Sequence, residues 1–412
     1  MRWREAAAEL WGDLRAQRVR AALSLLSIAW GTVSLLLLMA FSFGFEELFA
    51  VRGRGMGDAV AVGWPQRTTK PWQGQPSGRR LVVDRDDVLA LSALVPELDA
   101  VSAEFMTAAN ARVGATVLRV PISGVDPAFA HLRALVPQGG GRFFGDADVR
   151  ARRRVVFLGD RLAQGLFGTG DPVGRTLPLR GVPFLVIGVL EPKAQDGDYG
   201  GLDSGRAWVP ATTFETVFGA RAIDNLVFRA RDVRRQAEAS HAVVAALARR
   251  LAFDPTDRDA LSVWDTTEQQ RMMFFIFLGF HVMLGLSGTF TMLVGGIGIA
   301  NLMSLLVRRR TPEIGLKLAV GATRAQVLRE WLLQALVLVG AGGLLGSGVA
   351  VAIIAAVAHS PLTADVGVPH LPLPLVVSTA SVLAVVGLRA GLGPARRAAR
   401  MHPGAALRGG GV

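Results

Sequence analysis

Long apolar stretches alternate with polar segments along this chain, and four of the apolar stretches contain no Asp, Glu, Lys or Arg. A transmembrane helix needs about 20 apolar residues to cross a hydrocarbon core of roughly 30 Å, and each stretch can supply them. The pattern therefore predicts a membrane α-helical protein with four transmembrane helices. The uncharged stretches are residues 21–45, 272–307, 331–364 and 366–388.

The polar block between the first and second stretches, residues 46–271, has the pattern of a mixed α and β domain. Runs rich in β-branched residues and bounded by Gly and Pro predict strands there, so we expect an α+β domain inserted between helices 1 and 2. Four glycines near its start, Gly53, Gly55, Gly57 and Gly63, predict irregular backbone. The predicted elements are a strand from Leu81 running into a helix that ends near Val95, strands at 154–159, 184–190 and 223–230, a helix at 233–251 and a strand at 261–264.

The basic residues lie beside the apolar stretches. The net charge is +12, yet charged residues make up only 19% of the chain, fewer than the quarter typical of soluble domains. Most of the excess arginine lies in the two tails and in the loop 308–330, which is the positive-inside pattern and not that of a nucleic-acid-binding surface. We therefore expect a multi-pass membrane protein with cytoplasmic termini and the polar block outside, and the first stretch retained as an anchor.

The second apolar stretch is longer than a bilayer core. As one helix it would measure about 54 Å at 1.5 Å per residue, so we expect its outer end, residues 272–280, to project as a stalk. Prolines break the start of the fourth stretch. The predicted organisation is a cytoplasmic tail (1–20), transmembrane helix 1 (21–45), the extracytoplasmic domain (46–271), the stalk with transmembrane helix 2 (272–307), a cytoplasmic loop (308–330), transmembrane helix 3 (331–358), an extracytoplasmic loop (359–373), transmembrane helix 4 (374–393) and a cytoplasmic tail (394–412).

The sequence carries no recognisable catalytic motif. An ATP-binding loop G-x-x-x-x-G-K-[ST] needs a lysine, and none of the three lysines lies in such a loop. There is no cysteine and no H-E-x-x-H motif. We interpret His359, Asp365 and His370 as solvated loop residues, and His281 as a neutral histidine at headgroup level. We therefore expect no catalytic residue, metal site or cofactor site in this chain.

The loop 308–330 encodes a short helix. Thr311 is a good N-cap, Pro312 suits the first helical position, and Glu313 complements the positive helix start. Glu313 and Lys317 form an i,i+4 pair in the favourable order, and Gly321 is a natural terminator. These signals predict a helix at 312–320.

The same loop gives the helix an apolar stripe, formed by Ile314 and Leu318 with Val320 on its flank. Thr323 and Gln326 then form a capping box that opens the next helix. Two interpretations of the short helix remain open on physical grounds. It either rests on lipid headgroups or docks a cytoplasmic partner.

Segments along the whole chain resemble those of one transporter family. They are residues 122–127, 141–144, 171–177 with 184–190, 295–303, 310–322 and 393–407. In order and composition they resemble the MacB/FtsX-type ABC-transporter permeases, and this resemblance implies a location in the bacterial plasma (inner) membrane. The resemblance implies an extracytoplasmic MacB-like core domain of two subdomains, one of them inserted between roughly Val120 and Val217.

The resemblance also implies partners. It predicts a dimer with a second permease copy or a paralogue, a cytoplasmic ABC ATPase dimer that carries ATP and Mg²⁺, and in some cases a periplasmic adaptor. It makes the short helix an ATPase-coupling helix. The residues that match it are Thr311, Pro312, Glu313, Ile314, Gly315, Leu316, Lys317, Leu318 and Gly321.

Two features leave alternatives open. Gly342 and Gly346 have a small-xxx-small spacing that suits close helix packing, either within one subunit or at a dimer seam. The run Arg308, Arg309 and Arg310 departs from the family pattern, and we expect it to bind anionic membrane lipid and not the ATPase.

The function implied by the resemblance is that of a non-catalytic permease. Such a permease transmits ATP-driven conformational change to the extracytoplasmic domain, for export or for extrusion of a lipoprotein or peptide. The alternative is an FtsX-like transmembrane signalling module that regulates an extracytoplasmic cell-wall enzyme. A secondary transporter fits poorly, because the sequence has neither inverted repeats nor buried acid pairs.

Overall fold

The computed structural model describes residues 17–195 and 197–401. Within them the chain divides into two compact units. Phe49–Phe274 form the outer unit, and the described residues on both sides of it form the membrane unit. Most of the predicted tails 1–20 and 394–412 lies outside the described residues.

The helices and strands of the described residues follow one another in this order. They are α1 (Arg18–Arg54), β1 (Ala61–Pro65), α2 (Arg85–Leu94), β2 (Leu98–Val113), β3 (Thr116–Val125), α3 (Ala128–Leu132), α4 (Asp146–Arg150), β4 (Val155–Leu158), α5 (Asp160–Phe167), β5 (Thr176–Leu179), β6 (Val182–Val189), β7 (Ala207–Pro210), α6 (Ala211–Phe218), β8 (Asn225–Ala230), α7 (Gln236–Leu251), β9 (Leu261–Asp265), α8 (Thr266–Arg309), α9 (Thr311–Ala319), α10 (Arg324–Ala358), α11 (Thr363–Val366) and α12 (Leu373–Ala399).

Four of these helices, α1, α8, α10 and α12, are long and apolar enough to cross a membrane, counted over the described part of the chain. They confirm the four predicted transmembrane helices. α8 runs unbroken for 44 residues. α12 begins at Leu373 after Pro372 and continues through Pro394 to Ala399, past the predicted end at residue 393. Buried alanines hold this last turn in the apolar cluster of the membrane unit.

Glycines let the long helices approach closely. A Cβ added at Gly31 of α1 would lie 3.3 Å from the Met292 backbone nitrogen of α8, and one at Gly295 of α8 would lie 2.9 Å from Ile28 Cδ1. Between α8 and α12, a Cβ at Gly296 would lie 2.6 Å from Val386 Cγ1. Small residues at such contacts are the usual means of packing helices in lipid, because burial from water no longer drives association there.

The outer unit is built on a nine-stranded sheet, as far as the described residues show, in the order β3-β7-β4-β6-β5-β2-β8-β1-β9. β2 also pairs with β3, from Glu104 to Val113, so the six strands from β3 to β2 close into a ring. The other half of β2, from Leu98 to Glu104, pairs with β8. One sheet therefore runs through the outer unit, and β2 takes part both in the ring and in the strands beside it.

Most predicted elements of the outer unit are present. Helices α2 and α7 and strands β4, β6, β8 and β9 lie where the sequence predicts them. The predicted strand at Leu81 is wrong: residues 81–84 form no strand, and Asp84 instead caps α2 in a capping box with Asp87. Gly57 has the predicted irregular backbone at φ +107°, whereas Gly53 lies in α1 and Gly63 in β1. β2 and β3 had not been predicted.

Candidate partner-docking site

The short helix predicted in the loop 308–330 is α9, and it starts differently from the prediction. Thr311 is not an N-cap, because its hydroxyl donates to Val307 O at 3.2 Å and to Arg308 O at 2.9 Å. The backbone turns directly out of α8, since Arg310 N–H still donates to Leu306 O at 3.0 Å. Thr311 is therefore the first residue of α9 and has no extended conformation from which to cap it.

The end of α9 follows the prediction closely. Gly321 has φ +103°, and its N–H donates to Leu318 O at 3.2 Å. The next N–H, of Ala322, donates to Lys317 O at 3.0 Å, so the two bonds form a Schellman motif. Gly321 is thus the terminator, as predicted.

The predicted capping box of the next helix is also present. Thr323 N–H donates to Gln326 Oε1 at 2.9 Å, and Gln326 N–H donates to Thr323 Oγ1 at 3.3 Å. Only residues 320–323 connect α9 to α10, and both cap motifs involve this segment. The two helices are therefore joined by a short turn with defined hydrogen bonds.

The predicted ion pair of Glu313 with Lys317 is not formed, and each side chain has another partner. Lys317 Nζ lies 2.9 Å from Glu330 Oε1 of α10. Glu313 Oε2 lies 3.8 Å from Arg310 Nε. The turn after Gly321 brings α10 within reach of Lys317, and an exposed i,i+4 pair within α9 is worth only about 0.3–0.5 kcal/mol, too little to prevent the exchange.

Burial divides α9 into two faces. Ile314 is only 3% exposed and belongs to the apolar cluster that contains Val307, Val327 and Trp331, and Leu318 packs against this cluster. Gly315 is also buried. The predicted apolar stripe therefore anchors α9 to the membrane unit and is not a free docking surface.

The opposite face of α9 carries a second apolar pair. Leu316 is 57% exposed and Val320 is 82% exposed, and the two are one helical turn apart. Pro312, Glu313 and Lys317 are exposed as well. We call these five residues the α9 face. Its apolar side chains are flanked by one acid and one base.

Gly342 and Gly346 pack within the chain. A Cβ at Gly342 would lie 3.0 Å from Ile28 Cβ, and one at Gly346 would lie 2.5 Å from Ala29 O and 2.8 Å from Thr32 Cβ. Both glycines of α10 thus face α1. Of the two interpretations of their spacing, packing within one subunit accounts for both glycines.

The histidines near the outer end of the membrane unit have neighbours that sequence reasoning missed. His281 Nε2 lies 3.7 Å from Glu46 Oε2, and His370 Nδ1 lies 3.7 Å from Glu47 Oε2. The ring of Phe43 lies 4.3 Å from that of His281, centre to centre. The two acids follow each other in α1, so this helix end contacts both α8 and the segment before α12. The described residues contain no group of three His, Asp or Glu side chains arranged for a metal.

A buried polar network in the outer unit was also missed. Glu104 of β2 is 0% exposed and accepts hydrogen bonds from Ser123 Oγ (2.7 Å), Tyr199 Oη (2.9 Å) and Arg206 Nη1 (3.0 Å). Burial, opposed by the adjacent Arg133, raises the pKa of Tyr199 well above its usual value, so the phenol remains a hydrogen-bond donor.

A second ion pair lies beside this network. Asp203 Oδ1 accepts from Arg133 Nη2 at 2.8 Å, and Lys193 Nζ lies 2.8 Å from Asp203 Oδ2. Burial alone would raise the pKa of Asp203, but the two cations lower it overall. Together, the two groups of contacts tie Tyr199 to β2, Arg206 to β2 and β3, and Asp203 to Arg133.

Two family models match the chain and between them cover most of it. Residues 21–246 match the MacB-like periplasmic core domain, which is more than half of the chain, and residues 285–403 match the FtsX-like permease C-terminal region. The chain belongs to the MacB/FtsX-type family of ABC-transporter permeases. It is accordingly a multi-pass inner-membrane protein with its MacB-like domain between the first and second transmembrane helices.

Relatives of this permease match it over nearly its whole length. It is 33% identical over 399 residues to the macrolide export ATP-binding/permease protein MacB of Rhodospirillum rubrum, covering 96% of this chain and 59% of the relative. It is 30% identical over 413 residues to the pyoverdine export ATP-binding/permease protein PvdT of Pseudomonas savastanoi pv. phaseolicola, covering 98% and 59%. The chain thus spans about 59% of the length of these curated relatives.

Among solved structures, the periplasmic region of MacB from Actinobacillus actinomycetemcomitans is similar. It is 17% identical, covers 53% of this permease and 94% of that chain, and has a TM-score of 0.43.

Proposed function

We propose that this permease transmits ATP-driven conformational change from an ATP-binding partner to its extracytoplasmic domain, and so drives export by mechanotransmission. The observation that carries the proposal is the division of α9 into an anchored face and an exposed face. A helix held to the membrane unit by Ile314, with Leu316 and Val320 exposed opposite, is suited to receive a push from a partner.

The connections of α9 support the transmission of force. α9 follows α8 without a loop, and two cap motifs join it to α10. The ion pair of Lys317 with Glu330 is a further link between α9 and α10. A displacement of α9 would therefore move α8 and α10 with it, because hydrogen bonds and an ion pair connect the three helices.

The α9 face suggests the kind of groove that receives it. Amphipathic helices dock in apolar grooves through residues at i, i+3 and i+4, and Leu316 and Val320 have this spacing. Glu313 and Lys317 beside them would set the register by charge. We propose that the groove lies on a cytoplasmic ATPase dimer, which binds ATP and Mg²⁺, and that this chain contributes no catalytic residue.

The remaining features of the assembly belong to the same proposal. The loop containing α9 and both termini lie in the cytoplasm, and the permease works as a dimer with a second copy or a paralogue, in some settings with a periplasmic adaptor. Supporting this, the MacB and PvdT relatives are named as export ATP-binding/permease proteins and are longer than this chain.

The docking role is tested by placing a negative charge in the apolar part of the α9 face. Leu316→Glu and Val320→Glu should weaken copurification with the ATPase and ATP-dependent activity, because an unpaired charge would enter an apolar groove. Central interface residues cost about 1–3 kcal/mol when disrupted, or roughly 5- to 150-fold in affinity. The measurements are pull-down in mild detergent with identification of the bound ATPase, and its hydrolysis rate with and without the permease.

Val82→Glu is the matched control, because Val82 in the outer unit is also 57% exposed. It should leave both readouts unchanged. Normal copurification and hydrolysis in both α9 variants would refute the docking role.

A further inference from the structure

Three arginines lie at the neighbouring ends of α8 and α12. The two helices contact each other at Gly296 and Val386, and again at Ser304, whose Oγ accepts a hydrogen bond from Arg397 Nη2 at 3.1 Å. From the first contact to the second, the chain moves eight residues toward the C-terminus in α8 and eleven in α12. The two helices therefore run parallel, side by side.

The next turn of each helix adds one more guanidinium. Arg308 is one turn beyond Ser304 on the same face of α8, and Arg400 follows the last residue of α12, three positions beyond Arg397. All three arginines are exposed. We call Arg308, Arg397 and Arg400 the basic cluster.

The basic cluster has no counter-ion among the described residues. Between residue 272 and the end of the chain the acids are Glu313, Glu330 and Asp365. Glu313 faces Arg310, Glu330 faces Lys317, and Asp365 lies in α11 beyond the opposite end of α10. Arg309 and Arg396, which neighbour the cluster in sequence, add positive charge and no acid.

The geometry suits a ligand that is held at the membrane. Long side chains in a helix lean toward its N-terminus, so Arg308 leans back toward the apolar part of α8. About three turns before Arg308, α8 exposes Ile297, and about four turns before Arg400, α12 exposes Val385. Each guanidinium offers five N–H donors, and the one hydrogen bond of Arg397 to Ser304 leaves most of them unused.

We propose that the basic cluster binds the phosphate of an anionic glycerophospholipid, with the acyl chains along the exposed apolar turns of α8 and α12. Guanidinium groups bind phosphate oxygens in pairs and with charge assistance. Basic pockets between transmembrane helices bind anionic headgroups by the same chemistry. The proposal does not depend on which ATPase or cargo the permease serves.

The full chain is purified and its retained lipid is measured by native mass spectrometry, with phosphatidylglycerol or phosphatidylcholine supplied. Wild type should retain phosphatidylglycerol selectively. The double variant Arg308→Gln with Arg400→Gln should bind it roughly 30-fold more weakly, because each arginine near a charged surface is worth about 5-fold. It leaves the contact of Arg397 with Ser304 in place.

Two further variants separate charge from folding. Arg234→Gln with Arg249→Gln removes the same charge from exposed positions of the outer unit and should retain phosphatidylglycerol like wild type. Arg308→Lys with Arg400→Lys keeps the charge and should recover most of the binding. Equal retention by the Gln variant and wild type, or equal loss in the outer control, would overturn the proposal.

A competition arm separates a lipid headgroup from a free phosphate. Excess inorganic phosphate at constant ionic strength should leave phosphatidylglycerol bound, because its acyl chains also contribute. Complete displacement would identify a soluble phosphate as the ligand and overturn the assignment to lipid.

Discussion

Replacing Gly346 by alanine inserts a methyl group between two transmembrane helices already in contact. A Cβ there lies 2.5 Å from Ala29 O, and distances under 3.0 Å essentially never occur for real Cβ atoms. The oxygen belongs to the backbone of α1 and cannot rotate away, so the helices must separate. Overpacking costs about 1–3 kcal/mol, and alanine regains about 0.5–1 kcal/mol of helix propensity. We expect a net loss of about 0.5–2 kcal/mol.

The assay is thermal unfolding of the purified chain in mild detergent, followed by the fluorescence of its eight tryptophans. For a chain of 412 residues, the expected loss lowers the midpoint by roughly 1 °C per kcal/mol. Gly348→Ala is the control, because nothing lies within 4 Å of its added methyl group. It should raise the midpoint slightly. If both substitutions raise the midpoint alike, the close contact of α10 with α1 is refuted.

Three other perturbations have definite expected outcomes. Arg206→Met should destabilise the chain to chemical denaturation by about 3–5 kcal/mol, because Glu104 is left buried without its cation. The Arg142 guanidinium lowers the pKa of Asp148 by hydrogen bonding, so this carboxyl stabilises the fold above its ordinary pKa near 3.9 and the stability is lost as pH falls toward the lowered pKa. Asp148→Asn should therefore be less stable than wild type at neutral pH, with a difference that shrinks in acid. Lys317→Cys should resist a membrane-impermeant maleimide in intact cells and react after permeabilisation.

Each of these has a control within the chain. Arg234→Met alters an exposed arginine of the outer unit and should cost little. Asp146→Asn alters an exposed neighbour of Asp148, and a pH profile as strongly changed as that of Asp148→Asn would contradict the assigned cause. Lys70→Cys should react in intact cells. The chain has no native cysteine, so labelling of Lys317→Cys from outside would reverse the proposed orientation.

The membrane unit was predictable because its signals are local. Uncharged stretches locate the four long helices, and Gly321, Thr323 and Gln326 specify their own hydrogen bonds within a few residues. Chain context decides what these signals leave open. Thr311 is a good capping residue by type, but α8 turns into α9 too tightly for it to cap.

The α9 face shows why the sequence pattern alone could not identify the exposed side of α9. Ile314 and Leu318 have the same spacing as Leu316 and Val320, so both pairs form an apolar stripe in the sequence. Only the packing of Ile314 into the cluster with Trp331 decides which stripe is buried. The prediction chose the buried pair and placed the exposed Val320 on its flank.

In the outer unit, the missed strand β2 has a weak local signal. β2 includes Ala108, Ala109 and Ala111, which have little preference for strands. They pair because the antiparallel ladder and the buried face of β2 favour them, not because of local propensity. The network around Glu104 was equally hidden, since its partners Ser123, Tyr199 and Arg206 are far apart in the sequence.

The position of β1 constrains how the protein is made. Ala61 pairs with Asp265 on one side and with Phe228 on the other. β1 is synthesised first, but it can pair only after β8 and β9, the last two strands of the domain, have been made. Long-range pairings of this kind form slowly, and unfinished strand edges are prone to aggregation. During biogenesis, the extracytoplasmic domain cannot complete its sheet until nearly all of it has been translocated. Its nascent chain should therefore depend on periplasmic chaperones until the second transmembrane helix enters the translocon.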